Sequence, residues 1–438
     1  MANDILVTFE SLKTILPVVE DHILDEVRSV NAEVSTTEPL DGDIPMVFIT
    51  GNIPETKDYV EGELEYVSKG TKFHAYTFIK LQGNSSLQYD KKNFTVNLYS
   101  DESRSVALNK EFKNWGAHNN FVLKADYIDI THARNVVCAN LWSKVVQSRT
   151  DYDDLPDELN TSPNNGAIDG FPIKVYINGY YEGLYNWTIP KCDWQFGMDK
   201  NNPNHAVLGA EVNDNGDETL MYNPCNFSAY WDGVDGDYWS VEVGDSNETV
   251  TDSFNAIVDA IEYLYATDDV TALESVLDIQ SAIDYFIFQD VIFGIDGLAK
   301  NMLIATYDIT KWYLSAYDMD STFDLYWDGS IMDWFDAWMT DGYENQYSQL
   351  LCVIWDYYWD RMVERYWELR QTVLSDASII SAFEAYIGQY GDDLYIQDTV
   401  PYPDIPSATT NNLTHLRYFI ADRLWFLDNN VYYIEEVE

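Results

Sequence analysis

Three short segments carry residues whose types and spacing could do chemistry. In Ile295-Asp296-Gly297-Leu298-Ala299-Lys300-Asn301 a carboxylate and an amide stand five residues apart behind an apolar run. In Tyr317-Asp318-Met319-Asp320-Ser321-Thr322-Phe323 two carboxylates leave an apolar segment. Carboxylate and amide oxygens are hard donors, so this set suits Mg²⁺ or Mn²⁺. An ion held there could offset phosphate charge and hold the group for in-line transfer. The third segment is Leu81-Gln82-Gly83-Asn84-Ser85-Ser86, followed by Lys91-Lys92-Asn93-Phe94. Small and amide residues after a strand can form a tight loop whose backbone N–H groups face an anion. Lys92 shares parity with Phe94, Val96 and Leu98, so alternation turns it toward the apolar face and Lys91 away. A lysine so placed needs an anionic partner, either a carboxylate or a nucleotide phosphate. Each segment has an ordinary alternative: a plain turn, a strand-end lysine reaching solvent, or surface carboxylates of an acidic chain.

Elements that could position these residues follow from periodicity. Met302–Thr306 and Trp312–Leu314 are apolar runs around a Tyr307-Asp308 turn, which predicts a hairpin returning the chain to Asn301. In strict alternation Asp318 and Asp320 then share a face. Phe73, Ala75, Thr77, Ile79 and Leu81 alternate with His74, Tyr76, Phe78 and Lys80. Ile173, Val175 and Ile177 lead into Asn178-Gly179 and Tyr180-Tyr181, a hairpin signal because both turn residues tolerate positive φ. Residues 44 to 190 therefore read as mainly β, with a helix near Thr131 to Val145. Residues 201 to 251 are rich in Asn, Asp and Gly and read as irregular. Three helical stripes follow: Phe254 to Leu264 after an Asp252 cap, Ile354 to Leu369, and Leu413 to Leu427. An earlier stripe from Val19 to Val34, opened by Pro17 and closed by a Ser35–Pro39 linker, predicts an N-terminal helix.

The chain has 438 residues, 46% of them hydrophobic, enough to bury a substantial core. Its 25 Lys and Arg stand against 74 Asp and Glu, a net charge of −49. Such an excess repels phosphate backbones and anionic membranes, so neither nucleic acid nor membrane is an expected partner. Cys138, Cys192, Cys225 and Cys352 are widely spaced and form no CxxC or Cys/His cluster. The start lacks a basic, then apolar, signal pattern, and the apolar stretch from Tyr285 to Ile295 is too short to span a bilayer. The expected location is cytoplasmic during synthesis.

Taken together, the segments resemble the CotH kinase family, atypical kinases of spore-coat and secretory type. The matches run in the family's order: Gly83-Asn84-Ser85-Ser86 with Lys91-Lys92, Asp129 with Arg134-Asn135, and Val175 to Tyr185 around Asn178-Gly179. Asp296 with Lys300-Asn301, then Asp318-Met319-Asp320, complete the series. The resemblance implies an α+β, atypical protein-kinase-like two-lobed fold, with a β-rich N-terminal lobe and a helical C-terminal lobe. Residues 1–40 would be a helix and linker for oligomerisation or virion attachment, and 41–438 the kinase domain. Within it, 41–200 would be the β-rich lobe, 201–250 an irregular insertion, and 251–438 the helical lobe with the catalytic and metal hairpin at 284–328.

The same resemblance implies ATP with Mg²⁺ or Mn²⁺ as cofactors and Ser or Thr of a protein as acceptor. Asp296 matches the catalytic aspartate, which in protein kinases accepts the substrate proton. Asn301, Asp318 and Asp320 match metal ligands. Lys92 matches the phosphate-contacting lysine with Lys91 as the fallback; Asn84, Ser85 and Arg134 complete the expected nucleotide contacts. Three positions depart from the family pattern: Gln82 stands for an arginine, Asp324 for a glycine, and Thr188-Ile189-Pro190-Lys191 where a carboxylate is usual. Ile189-Pro190-Lys191, Ala299-Lys300-Asn301-Met302 and Tyr317-Asp318-Met319-Asp320 look like the phage and prophage branch. That supplies a second reading, a tail or baseplate structural or host-binding protein with virion proteins as partners and the fold as scaffold. A third, a calcium-dependent carbohydrate or surface binder, leaves the ordered Lys–Asp–Asn–Asp series without a purpose.

Overall fold

The computed structural model describes residues 44–129, 131–210, 239–298, 300–332, 334–338, 349–389, 394, 397–406 and 413–433. The N-terminal helix expected over residues 17 to 34 and its linker lie outside the described residues.

Period-two alternation builds the first half. Strands β1 (Met46–Gly51), β2 (Val60–Ser68), β3 (Thr71–Gln82), β4 (Asn93–Tyr99), β5 (Asn120–Lys124), β6 (Gly170–Ile177) and β7 (Tyr180–Thr188) close into a barrel. The strand order is β1-β2-β3-β4-β5-β7-β6, and β6 returns parallel to β1 with Met46 opposite Lys174. Its interior is filled by alternate residues, among them Val47, Leu64, Ala75, Val96, Phe121, Val175 and Trp187. Closure leaves no unpaired edge around this sheet. The turn between β6 and β7 has Asn178 and Gly179 at φ 51° and 87°, the pair of positive angles expected for a tight hairpin.

Helix α1 (Arg134–Gln147) leaves the barrel and joins a second core. That core holds α2 (Glu248–Thr267), α3 (Ile279–Ile292), α4 (Gln349–Arg370), α5 (Asp376–Ile387) and α6 (Leu413–Phe426). It also holds an antiparallel four-stranded sheet in the order β9-β8-β10-β11. These are β8 (Ala206–Ala210), β9 (Trp239–Val243), β10 (Met302–Thr306) and β11 (Trp312–Ala316). The stretch 201 to 251, expected to be irregular, thus contributes two strands. Ala206–Ala210 is buried along its whole length and shows no alternation, so periodicity could not reveal it. Helix α2 begins earlier than the Asp252 cap expected for it, because the Asn247 side chain accepts from the Val250 N–H. The α+β composition stands, with a closed barrel and a mixed helix–sheet core as its two parts. Among the described residues no helix is long and apolar enough to cross a membrane.

Candidate functional site

The β10–β11 hairpin pairs Met302 with Ala316, so Asn301 and Tyr317 leave it side by side. Asn301 enters at φ 59° and Asp318 follows the exit at φ 53°. Both lie in the left-handed region, which Asn and Asp tolerate better than other side chains. Beyond Ala316 the strand gives way to a turn, so strict alternation does not govern Asp318 and Asp320. They remain close enough for the Asp318 charge to act on Asp320. Met319, between them, is buried and its N–H donates to Asn135 Oδ1 at 3.2 Å.

Arg134, expected among the nucleotide contacts, is 1% exposed. Its guanidinium pairs with Asp129 Oδ1, and its Nε donates to Thr322 O at 2.9 Å. The Asp129 carboxylate also accepts the N–H groups of Thr131, Ala133 and Arg134 at the start of α1. Burial tends to raise the Asp129 carboxyl, but Arg134 and these N–H groups outweigh it and hold it below the usual range. Arg134 and Asn135 therefore hold the Asp318–Thr322 turn from behind, through its backbone.

Asp296 sits in a 3₁₀ turn over Ile295–Leu298, laid across the last turn of α3. The approach is close: a Cβ on Gly297 would come within 2.5 Å of Gln289 Cδ, and Tyr285 Oη donates to Gly297 O at 2.5 Å. Helix α3 is buried along nearly its whole length and is fastened by charged pairs, Asp284 to Arg365 at 2.7 Å and Asp290 to Arg423 at 2.7 Å. Asp296 itself keeps 27% exposure and lies 3.6 Å from Lys300. Its charge also acts on Asp320.

The Gly83-Asn84-Ser85-Ser86 segment enters a 3₁₀ turn at Ser85–Gln88. Gly83, at φ 101°, permits the Ser86 hydroxyl to close over it. The side chain of Ser85 lies outside the described residues. Lys57 bonds to Asn84 Oδ1, so a cation reaches this loop although Gln82 stands where the family has arginine. Tyr89 stacks on Tyr127 at 4.2 Å, and its hydroxyl donates to Trp327 O at 2.8 Å. The end of the loop is thereby fastened to the chain beyond Asp320.

The two lysines differ from the parity expectation. Lys91 is the fully buried one, and Lys92 is only partly buried. Strand β4 begins at Asn93, after a bend, so its alternation does not reach back to either residue. Lys91 Nζ donates to Ala125 O at 2.8 Å, Leu184 O at 2.5 Å and Asp398 Oδ2 at 2.9 Å. Asp398 also accepts the Leu184 N–H at 2.7 Å. Gly183, at φ 132°, leaves room for this pair; a Cβ there would meet Asp398 Oδ1 at 2.4 Å. Lys92 Nζ donates to Leu87 O at 2.8 Å and to Tyr89 O, back onto its own loop.

Two residues at the site were missed by sequence reasoning. Lys124, at the end of β5, places Nζ 3.1 Å from Asp318 Oδ1. Burial would lower its pKa, but Asp318, with Tyr317 and Asp320, raises it above the ordinary lysine value. Asp126 is buried at φ 47° and accepts from Asn186 Nδ2 at 2.7 Å; burial and then Asp129 push its pKa well up. A lysine inside the apolar run Phe121-Val122-Leu123-Lys124-Ala125 was the available signal.

The donor set fits a hard divalent ion. Burial tends to raise Asp318, but Lys124 outweighs it and holds it below the usual carboxylate range. Burial and then the Asp318 charge push Asp320 up to about 8. Positive charge added beside Asp320 would bring its carboxyl back down. Asp318 keeps 32% exposure, so its carboxylate is reachable from solvent. Among the described residues no three His, Cys, Asp or Glu side chains form a metal cage. Asp318 and Asp320, with the Asn301 amide, are the side chains that would hold such an ion.

The profile of the family described as CotH kinase protein matches residues 79–427, which include the loop, both lysines, the hairpin and α6. The chain belongs to the CotH kinase family. No curated protein matches it at a significant level.

Proposed function

We propose that the protein transfers the γ-phosphoryl group of ATP to a Ser or Thr hydroxyl of a protein, with Mg²⁺ or Mn²⁺. The observation that carries this reading is the hairpin register, Met302 opposite Ala316, from which Asn301 and the segment leading to Asp318 and Asp320 leave side by side. In it Asp296 accepts the hydroxyl proton, and Asn301, Asp318 and Asp320 hold the ion. The loop from Gly83 to Gln88 offers backbone N–H groups to the phosphates. The protein-kinase-like two-lobed arrangement, the barrel acting as one lobe, belongs to the same reading.

The test is ATP-dependent phosphate incorporation into a mixed protein substrate with Mg²⁺ or Mn²⁺. Asp296→Asn and Asp318→Asn should each lower the rate by at least about a hundredfold while the fold is retained. Unchanged rates in both variants would overturn the assignment. Absence of nucleotide binding by the intact protein with either ion would favour the scaffold reading instead. Lys91 and Lys92, both bound to backbone carbonyls, are the observation on that side.

A further inference from the structure

A site that binds phosphate draws on positive charge close to its metal-holding residues. Both lysines singled out by sequence are committed elsewhere, Lys91 to Asp398 and two carbonyls, Lys92 to Leu87 O and Tyr89 O. Lys191 pairs with Glu242 at 2.5 Å and lies 4.9 Å over the Tyr317 ring, and Lys300 pairs with Asp296 at 3.6 Å. Among the described residues, Lys124 brings its ammonium onto Asp318 itself, 3.1 Å from Oδ1.

We infer that Lys124 is the built-in counter-cation of the Asp318–Asp320 pair, giving up Asp318 when a divalent ion arrives and turning to the nucleotide's phosphate oxygens. This rests on the metal and nucleotide reading proposed above.

The geometry supplies the argument. Lys124 Nζ lies 3.1 Å from Asp318 Oδ1, with the lysine side chain 11% exposed and the aspartate 32%. The carboxylate is thus reachable from solvent on one side and neutralised from the protein side. The lysine backbone is held in the barrel wall, opposite Asn186 of β7, while its side chain leaves on the face opposite Phe121, Leu123 and Ala125. A fixed backbone with a four-carbon stem lets the ammonium swing a few ångströms without moving the sheet. A divalent ion on Asp318 would compete with the ammonium for the same oxygen and repel it. The displaced ammonium would then be available to the phosphate oxygens of the nucleotide.

The test uses the full chain. Mn²⁺ is titrated by calorimetry into the intact protein, Lys124→Met and Lys124→Arg, first alone and then with a non-hydrolysable ATP analogue. Without nucleotide, Lys124→Met should bind Mn²⁺ about tenfold more tightly, because the competitor is gone. With Mn²⁺ present, it should bind the analogue about tenfold more weakly, while Lys124→Arg stays close to the parent in both. Unchanged or weaker Mn²⁺ binding by a folded Lys124→Met, or unchanged analogue binding, would overturn the inference. If the intact protein binds neither Mn²⁺ nor the analogue, the proposed function itself falls, an outcome distinct from a silent variant.

A measurement on the unaltered protein guards against misfolding. Modification of Lys124 by an amine reagent, followed by mass spectrometry, should rise on adding Mn²⁺ and fall again with the analogue. Labelling indifferent to both would count against the exchange.

Discussion

Asp318 and Asp320 carry the same group and are held in different states. Lys124 keeps Asp318 below the usual carboxylate range, although burial works against it. Asp320, with its neighbour's charge added to burial, is raised to about 8. A raised carboxyl is protonated below its pKa, so an incoming cation must displace that proton. Cation binding should therefore strengthen as pH rises from about 6 and level off above about 8, with proton release that shrinks over the same window. Calorimetry at several pH values in buffers of different ionisation enthalpy would show it. Affinity flat across that range would rule out Asp320 as the group displaced. Asp324 shows another residue-scale accommodation. It stands where the family has glycine, and it keeps φ at 71°, the left-handed conformation that glycine favours. Its carboxylate accepts from the Trp334 N–H at 3.2 Å, which gives the substituted side chain a partner.

Helix α3 and the β10–β11 hairpin are the elements that position the candidate site. The helix brings Asp296 to its end, and the hairpin returns the chain from Asn301 to Asp318. Their junction depends on close packing of Gly297 against the buried end of Gln289. Gly297→Ala should push the turn off the helix, costing about 1–3 kcal/mol and lowering phosphate transfer more than Asn301-side metal binding. Adding Gln289→Ala should recover most of the stability, because it vacates the space the new methyl needs. Thermal melts and the transfer assay on the single and double variants would check this. An innocuous Gly297→Ala would mean that the turn adjusts freely.

The barrel and the C-terminal segment are joined by a buried pair whose members stand 307 residues apart, Lys91 and Asp398. Both side chains are 0% exposed, so removing one strands the other's charge. Lys91→Met should cost about 3–5 kcal/mol, and Lys91→Met with Asp398→Leu should recover much of that. Denaturant unfolding of the two variants would decide it; a single substitution costing under about 1 kcal/mol would show that the pair relaxes into solvent. Its consequence is that the segment carrying Lys91 is clamped to the barrel and to Asp398.

What the sequence by itself determined is local. The Asn178-Gly179 turn, the alternation of β3 and β4, the stripes of α2, α4 and α6, and the hairpin behind Asp318 were legible because side-chain period and φ preference act over a few residues. Alternation failed at Lys91 and Lys92, where the backbone bends before the strand, and at Ala206–Ala210, buried on both faces. Only the tertiary structure decided that the first sheet closes into a barrel. It alone set Lys124 against a carboxylate 194 residues away and placed Asp398 on Lys91. Those outcomes depend on which charges become desolvated together, and desolvation belongs to the assembled molecule, so no local pattern encodes it.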